Sequence, residues 1–331
     1  MSLQTTLRGS IVFRRAVYVF LMSTSALLFT LNLTYSKQEM TKSDTIYRYY
    51  FHPPWTNFSF PEINETRVLQ NEGQNVGRVQ TVYFLTPRDL NDSENLSDML
   101  AFQPVLSFED RQAVLLVFQK FVRACSQYNV TFFLYGGTLL GSLRHHDIIP
   151  WDDDIDVMVN TSNRALLRHA LLSVGKDFHL KSPENLRWKF FWTKPKTLPQ
   201  NQFRWPYVDI FFYSENSSHI CDQEFSATFC FSKRHVFPLC LRPLAGALLP
   251  APHETTVVVD QNYSPSLCSS LRYSHKLEHL TPTRTWITIP CTRLYGLYPF
   301  VHTQTIHGRI HENLMLNSTL IETFIVPERC S

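Results

Sequence analysis

The chain has 331 residues, with 31 Lys and Arg against 28 Asp and Glu and a formal net charge of +3. Hydrophobic residues make up 44% and aromatic residues 14%, which excludes disorder, collagen and coiled coil as the main state. No run of Lys and Arg exceeds two residues, so there is no electrostatic footprint for nucleic acid, and an anionic partner must be met at a local site.

In chain order, residues 16–31 are uncharged and follow Arg8, Arg14 and Arg15; Asn32 and Leu33 extend the run to near the length that spans a bilayer. The basic flank predicts a cytosolic segment over 1–15, and the lack of a small-x-small cleavage site before Lys37 favours a signal-anchor transmembrane helix over 16–33. The rest is then translocated. Ten Asn-x-Ser/Thr sequons agree: Asn32, Asn57, Asn64, Asn91, Asn95, Asn129, Asn160, Asn216, Asn262 and Asn317, where chance gives roughly two or three. A glycan on Asn160 would follow directly on the acidic segment described below.

Residues 34–106 read as a lumenal stem, polar and aromatic without a sustained period. Val114, Leu115, Val117, Phe118, Phe121, Val122 and Cys125 then recur at helical spacing after the start signals Ser107 and Asp110, predicting a helix from Phe108 to Tyr128. Thr131 to Tyr135 reads as a strand, Gly136-Gly137 breaks it, and Thr138 to His145 reads as a short helix. Pro150 opens a second strand, and a helix is predicted from about Asn163 to Val174. Further strands are predicted at Trp188–Trp192, Pro206–Tyr213, Thr255–Val259 and Thr285–Ile289. Helices alternating with strands make the class α+β, a mixed α/β sheet flanked by helices. Cys125 falls on an apolar helix face as a buried free thiol. Cys221, Cys230, Cys240, Cys268, Cys291 and Cys330 form an even set that predicts disulfides without deciding their pairing.

Chemistry is concentrated in Asp152, Asp153, Asp154 and Asp156, four carboxylates in five residues. Read as a strand, the segment projects Asp152, Asp154 and Asp156 on one side and Ile155, Val157 and Val159 on the other. Neighbouring carboxylates repel, and an oxygen-only set is relieved by a hard divalent cation, Mg²⁺ or Mn²⁺. The glycine and distal Glu of an EF-hand loop are missing. The Gly136-Gly137 turn into a helix exposes backbone N–H groups suited to phosphate, with Arg144 and His145 at the helix's far end. Asp209, flanked by Val208, Ile210, Phe211 and Phe212, is costly to bury without a partner. Gly-Gly, Asp-x-Asp and a third strand carboxylate together suit nucleotidyl or phosphoryl transfer.

The run Tyr-Gly-Gly-Thr-Leu-Leu-Gly-Ser-Leu-Arg-His-His-Asp-Ile-Ile-Pro-Trp-Asp-Asp-Asp-Ile-Asp-Val-Met-Val, residues 135–159, resembles the signature of the LicD family. That family includes bacterial phosphocholine transferases, fukutin and the fukutin-related protein. Similarity extends through Trp205–Phe212, Arg242–Pro252 and Tyr273–Glu278, so the resemblance covers about residues 108–300. It implies a nucleotidyltransferase-like catalytic domain over 107–300, with 301–331 a divergent C-terminal segment. It also implies a single-pass type II protein of the Golgi or endoplasmic reticulum membrane, its catalytic domain lumenal. The implied activity moves a phospho-alcohol, such as ribitol phosphate or phosphocholine, from a CDP-linked donor onto a glycan of a glycoprotein or glycolipid.

The resemblance further implies that Asp154 and Asp156 are paired metal ligands, Asp209 the third carboxylate and Asp152 the leading acid. Gly136, Gly137 and Thr138 correspond to the nucleotide-phosphate loop, and Arg144 to the basic residue that ends the first helix. Asp209 and His275 are the candidates for a base toward the acceptor hydroxyl. The alternative is a non-catalytic relative that serves as scaffold or partner for lumenal glycosyltransferases, against which the retention of a mutually repulsive Asp cluster argues.

Overall fold

The computed structural model describes residues 100–194, 202–226 and 228–327. The anchor expected over 16–33 and most of the expected stem lie outside them. Among the described residues no helix is long and apolar enough to cross a membrane.

Helix α1 (Phe108–Gln127) starts at a capping box: Asp110 N–H donates to Ser107 Oγ and Ser107 N–H donates to Asp110 Oδ2, each at 3.1 Å. Its apolar stripe, Val114, Leu115, Val117, Phe118, Phe121, Val122 and Cys125, is buried, and Cys125 is a free thiol. The stripe packs on the central sheet and on helix α3 (Arg164–Leu172). Phe102 and Leu106, counted with the stem in the sequence reading, are buried too, and the Tyr298 hydroxyl donates to the Phe102 carbonyl.

The sheet is mixed. Strand β1 (Phe132–Leu134) runs antiparallel to β2 (Ile155–Asn160), and β2 is parallel to β5 (Tyr207–Glu215). Beyond β5 come the antiparallel β4 (Trp188–Trp192) and β3 (Phe178–Lys181). Strands β6 (His219–Asp222) and β7 (Cys230–Ser232) extend from the end of β5. Helix α2 (Gly136–His145) connects β1 to the acidic segment and packs on β2. A one-turn helix α4 (Lys233–Val236) precedes the hairpin β8 (Cys240–Leu244) and β9 (Ala247–Ala251). The two turn residues of that hairpin, Ala245 and Gly246, both have positive φ, 50° and 85°, the geometry a two-residue hairpin turn requires.

Two sequence expectations change here. Thr255–Val259, five β-branched residues, Thr-Thr-Val-Val-Val, is expected as a strand; it is the helix α5 (Thr255–Asp260). Thr255, Val258 and Val259 are its buried residues, a helical spacing, so burial overrides the β propensity of the run. The segment 285–289 divides between a 3₁₀ turn, Thr283–Thr285, and a later strand, called β13 below.

Short strands follow: β10 (Leu267–Ser269), β11 (Tyr273–Ser274), β12 (His279–Leu280) and β13 (Thr288–Pro290), pairing as β10 with β13 and β11 with β12. The residues read from sequence as a divergent C-terminal segment form a three-stranded antiparallel meander, β14 (Phe300–Ile306), β15 (Arg309–Leu316) and β16 (Thr319–Ile325). Disulfides join Cys221 to Cys230 and Cys268 to Cys291, and Cys240 is also disulfide-bonded.

Candidate active site

Strand β2 begins only at Ile155, so the expectation that Asp152, Asp154 and Asp156 alternate along one strand is corrected. After Pro150 the chain turns, with Asp152 N–H donating to the Ile149 carbonyl and Asp153 N–H to Asp152 Oδ1. Asp152 to Asp154 therefore sit on a turn, and Asp156 alone is in the strand. Parallel pairing then sets Asp156 beside Asp209 on β5. The turn brings in Asp154, and ligand oxygens of Asp154, Asp156 and Asp209 lie within 4.8 Å of one another. Asp152 falls in an adjoining group with Asp153, Asp154 and His275.

Burial first, and then the charge of Asp156, push the Asp154 carboxyl well above the usual range. Burial and then Asp209 push Asp156 up to about 7, and burial raises Asp152 as well. Buried acids that raise one another in this way hold a proton or take a cation. Their oxygen-only chemistry fits Mg²⁺ or Mn²⁺, with Asp154, Asp156 and Asp209 as the residues that would hold it.

The glycines are pressed against these acids. Gly136 has φ +52°, and a Cβ there would lie 2.5 Å from Asp156 Oδ2; one on Gly137 would lie 2.8 Å from Asp152 Oδ2. Gly137 N–H donates to Asp156 Oδ2 at 3.2 Å, so the helix N-terminus faces the carboxylates directly. Thr138 is buried and its hydroxyl accepts the Asp156 N–H at 2.7 Å, which fixes the start of β2. Arg144 lies at the other end of α2, buried, donating to His145 Nε2, the Leu267 carbonyl and Cys291 Sγ. Its hydrogen bonds thus tie α2 to β10 and the Cys268–Cys291 bridge, although the charge of Asp152 still acts on it.

Asp153, which the sequence reading did not single out, behaves unlike its neighbours. It accepts from Ser274 Oγ, from the backbone N–H groups of His275 and Lys276, and from His275 Nδ1. Against the cost of burial, the His275 hydrogen bond and charge hold its carboxyl below the usual range. Asp153 therefore clamps the segment after β11 and seats His275, whose Nε2 is 3.2 Å from Asp154 Oδ2. Burial opposes protonation of His275, but Asp154 and then Asp153 push it up to about 10. With both ring nitrogens against carboxylates, His275 positions acids rather than facing an acceptor hydroxyl.

Residues 129–254 match the family model described as "LicD/FKTN/FKRP, nucleotidyltransferase domain". Over that stretch the chain is similar to the LicD family. A 56-residue stretch is 43% identical to the lipopolysaccharide cholinephosphotransferase LicD of Haemophilus influenzae, covering 17% of this chain and 21% of that protein. The chain thus matches about a fifth of that relative's length.

The matched stretch contains β1, α2, the acidic turn, β2 and β5, and so all of Asp152, Asp154, Asp156 and Asp209. His275 and the clamp on Asp153 come from outside the match. Sequence reasoning also missed two cations. Lys189 Nζ donates to both oxygens of Asp209, at 2.8 and 3.0 Å, and Arg187 Nη1 is 3.9 Å from Asp209 Oδ2. Lys189 was detectable in principle. It is the lone charge in Trp-Lys-Phe-Phe-Trp, and the argument applied to Asp209 in its apolar strand applies equally there.

Proposed function

We propose that the protein is a metal-dependent transferase that moves a phospho-alcohol, such as phosphocholine or ribitol phosphate, from a CDP-linked donor onto a glycan of a glycoprotein or glycolipid. We place it as a single-pass type II protein of the Golgi or endoplasmic reticulum membrane, with the LicD domain in the lumen. The observation that carries the reaction is the convergence of Asp154, Asp156 and Asp209 against the Gly136-Gly137 turn. The cholinephosphotransferase activity for which the Haemophilus relative is named supports the reaction class. The compartment rests on the apolar run over 16–33, the sequons and the disulfides. Asn129, Asn216 and Asn317 are exposed, as glycan acceptors must be. Asn160 sits at the end of β2 remote from Asp156, roughly 13 Å along the strand, so a glycan there leaves the acids open.

In the reaction, the acceptor hydroxyl oxygen bonds to the phosphorus that bears the alcohol. The bond from that phosphorus to the bridging diphosphate oxygen breaks, CMP leaves with the electron pair, and the hydroxyl proton passes to a carboxylate of the cluster. A bound Mg²⁺ or Mn²⁺ supplies Lewis-acid neutralisation of the diphosphate oxygens. Asp154, Asp156 and Asp209 would hold the cation, the missing Cβ atoms of Gly136 and Gly137 leave room for the Asp156 and Asp152 carboxylates, and His275 with Asp153 keeps Asp154 in place.

The test incubates the full-length, detergent-solubilised chain with CDP-choline, CDP-ribitol, CDP-glycerol or CDP-ethanolamine and Mn²⁺, reading CMP release. Release from one donor, cut about 1,000-fold in the Asp154→Asn, Asp156→Asn double variant, is expected. Release that is unchanged in the double variant overturns the reading. A scaffold for other lumenal glycosyltransferases would bind neither Mn²⁺ nor the donors.

A further inference from the structure

The carboxylate site has a cationic flank that the domain's acidic signature does not include. Lys189 on β4 is the cross-strand partner of Asp209 on β5 and, on its other side, of Lys181 on β3. Its ammonium is 3.6 Å from the centroid of the Tyr207 ring and 4.9 Å from that of Phe203, and Lys181 Nζ lies 4.6 Å from the same Phe203 ring. Arg187, one residue before β4, reaches Asp209 Oδ2 at 3.9 Å and Glu224 Oε1 at 3.6 Å, with about a third of its side chain (36%) exposed.

Two lysines directly opposite each other across an antiparallel pair repel, so this arrangement is favourable only where negative charge is near. Asp209 supplies it at present. Two of the three ammonium donors of Lys189 point at Asp209, and the aromatic walls of Tyr207 and Phe203 hold the group in that position. Once Asp209 turns its oxygens to a divalent cation, Lys189 is left beside the site with its donors released, next to Arg187, which stays paired with Glu224 through one arm of its guanidinium. The anion that then suits them is one bound to the same cation, and in a CDP-linked donor that is the diphosphate.

We propose that Lys189 and Arg187 bind the donor's diphosphate, with Lys189 a catalytic residue that donates to a phosphate oxygen while the phosphoryl group is transferred; this rests on the reading of the site given above. Lys181 adds charge to the same flank without reaching the acids. The flank stabilises the charge that collects on the departing CMP, the role that a fixed ammonium performs in phosphoryl transfer generally.

The test uses the full-length chain with Mn²⁺ and, as probe, inorganic pyrophosphate, with both affinities measured by calorimetry. In Lys189→Met, pyrophosphate should bind about 10- to 100-fold more weakly, the loss of one charge-assisted hydrogen bond. Mn²⁺ should bind at least as tightly, because the lysine no longer competes for Asp209. Arg187→Gln, at a partly exposed position, should weaken pyrophosphate several-fold and bind Mn²⁺ no more weakly than the wild type. Pyrophosphate bound equally well by both variants overturns the proposal. So does loss of Mn²⁺ from a folded Lys189→Met, which would make the lysine a builder of the carboxylate site. Failure of the wild-type chain to bind Mn²⁺ would instead overturn the underlying metal site.

Discussion

Around Arg242, buried charge is matched by buried charge. Its guanidinium meets both oxygens of Glu312 at 2.8 and 2.9 Å, and Glu312 also meets His146 Nε2 at 2.9 Å. Around Asp154, buried acids outnumber what the protein sets against them, and their proton affinities rise as a result. The first network links three distant stretches: the end of α2, the hairpin β8–β9 and the meander strand β15. It explains why Arg242 stands at the head of a motif singled out in the sequence although it is not near the acids: it docks the C-terminal meander. The second network is left short of positive charge, which is the condition for binding a cation. A matched buried network is read as architecture, and an unmatched one as a site.

The contrast breaks most sharply by removing acids from each network in the metal-free protein. Glu312→Ala should destabilise by about 3–5 kcal/mol, because Arg242 is left buried without its carboxylate. Asp154→Asn should do the reverse, stabilising by about 1 kcal/mol or more as a mutually repelled carboxylate disappears. Equilibrium urea unfolding in EDTA measures both, and two changes of the same sign would remove the distinction.

Gly136→Ala should cost about 1–2 kcal/mol for its left-handed backbone, and it drives a methyl into Asp156 Oδ2. Mn²⁺ affinity, read by titration, should fall with it, whereas Gly175→Ala, with open space around the added carbon, leaves Mn²⁺ binding as it is.

A separate test is on pH. His145 and His146 are both held below the ordinary imidazole value, chiefly by burial, so they stay neutral in the fold. The unfolded chain takes up protons near pH 6.5 that the folded chain does not, so stability is complete above that pH and is lost as pH falls below it, by up to about 1.4 kcal/mol per unit for each ring. The raised acids of the site act in the opposite sense, since the fold takes up protons there first. The Asp154→Asn, Asp156→Asn variant lacks two of them, and its melting temperature should fall more steeply than that of the metal-free wild type between pH 7 and 5.5. Parallel curves would contradict the assignment.

Much of the site was legible because its chemistry is local. Gly136-Gly137, the Asp cluster and an isolated strand Asp are composition facts with a physical cost attached, and α1 showed itself through spacing and its capping box. Asp153 was not legible: four donors from a segment more than a hundred residues away separate it from two neighbours of the same type. Nor was the helix at Thr255–Asp260, where neighbouring elements bury a helical face of β-branched residues.

By itself, the sequence determined that the acids exist in one short segment, that glycines precede them, that Asp209 needs a partner, and that the apolar stripe of α1 must be buried. Periodicity, backbone freedom and the cost of burying charge are properties of a residue and its near neighbours. Only the tertiary structure decided which acids converge, because Asp156 meets Asp209 through parallel strand register and Asp154 reaches both from a turn. Only it placed Lys189 against Asp209 and Arg242 against Glu312. Those pairings join residues that the chain keeps far apart, and long-range pairing is set by how the strands and helices pack.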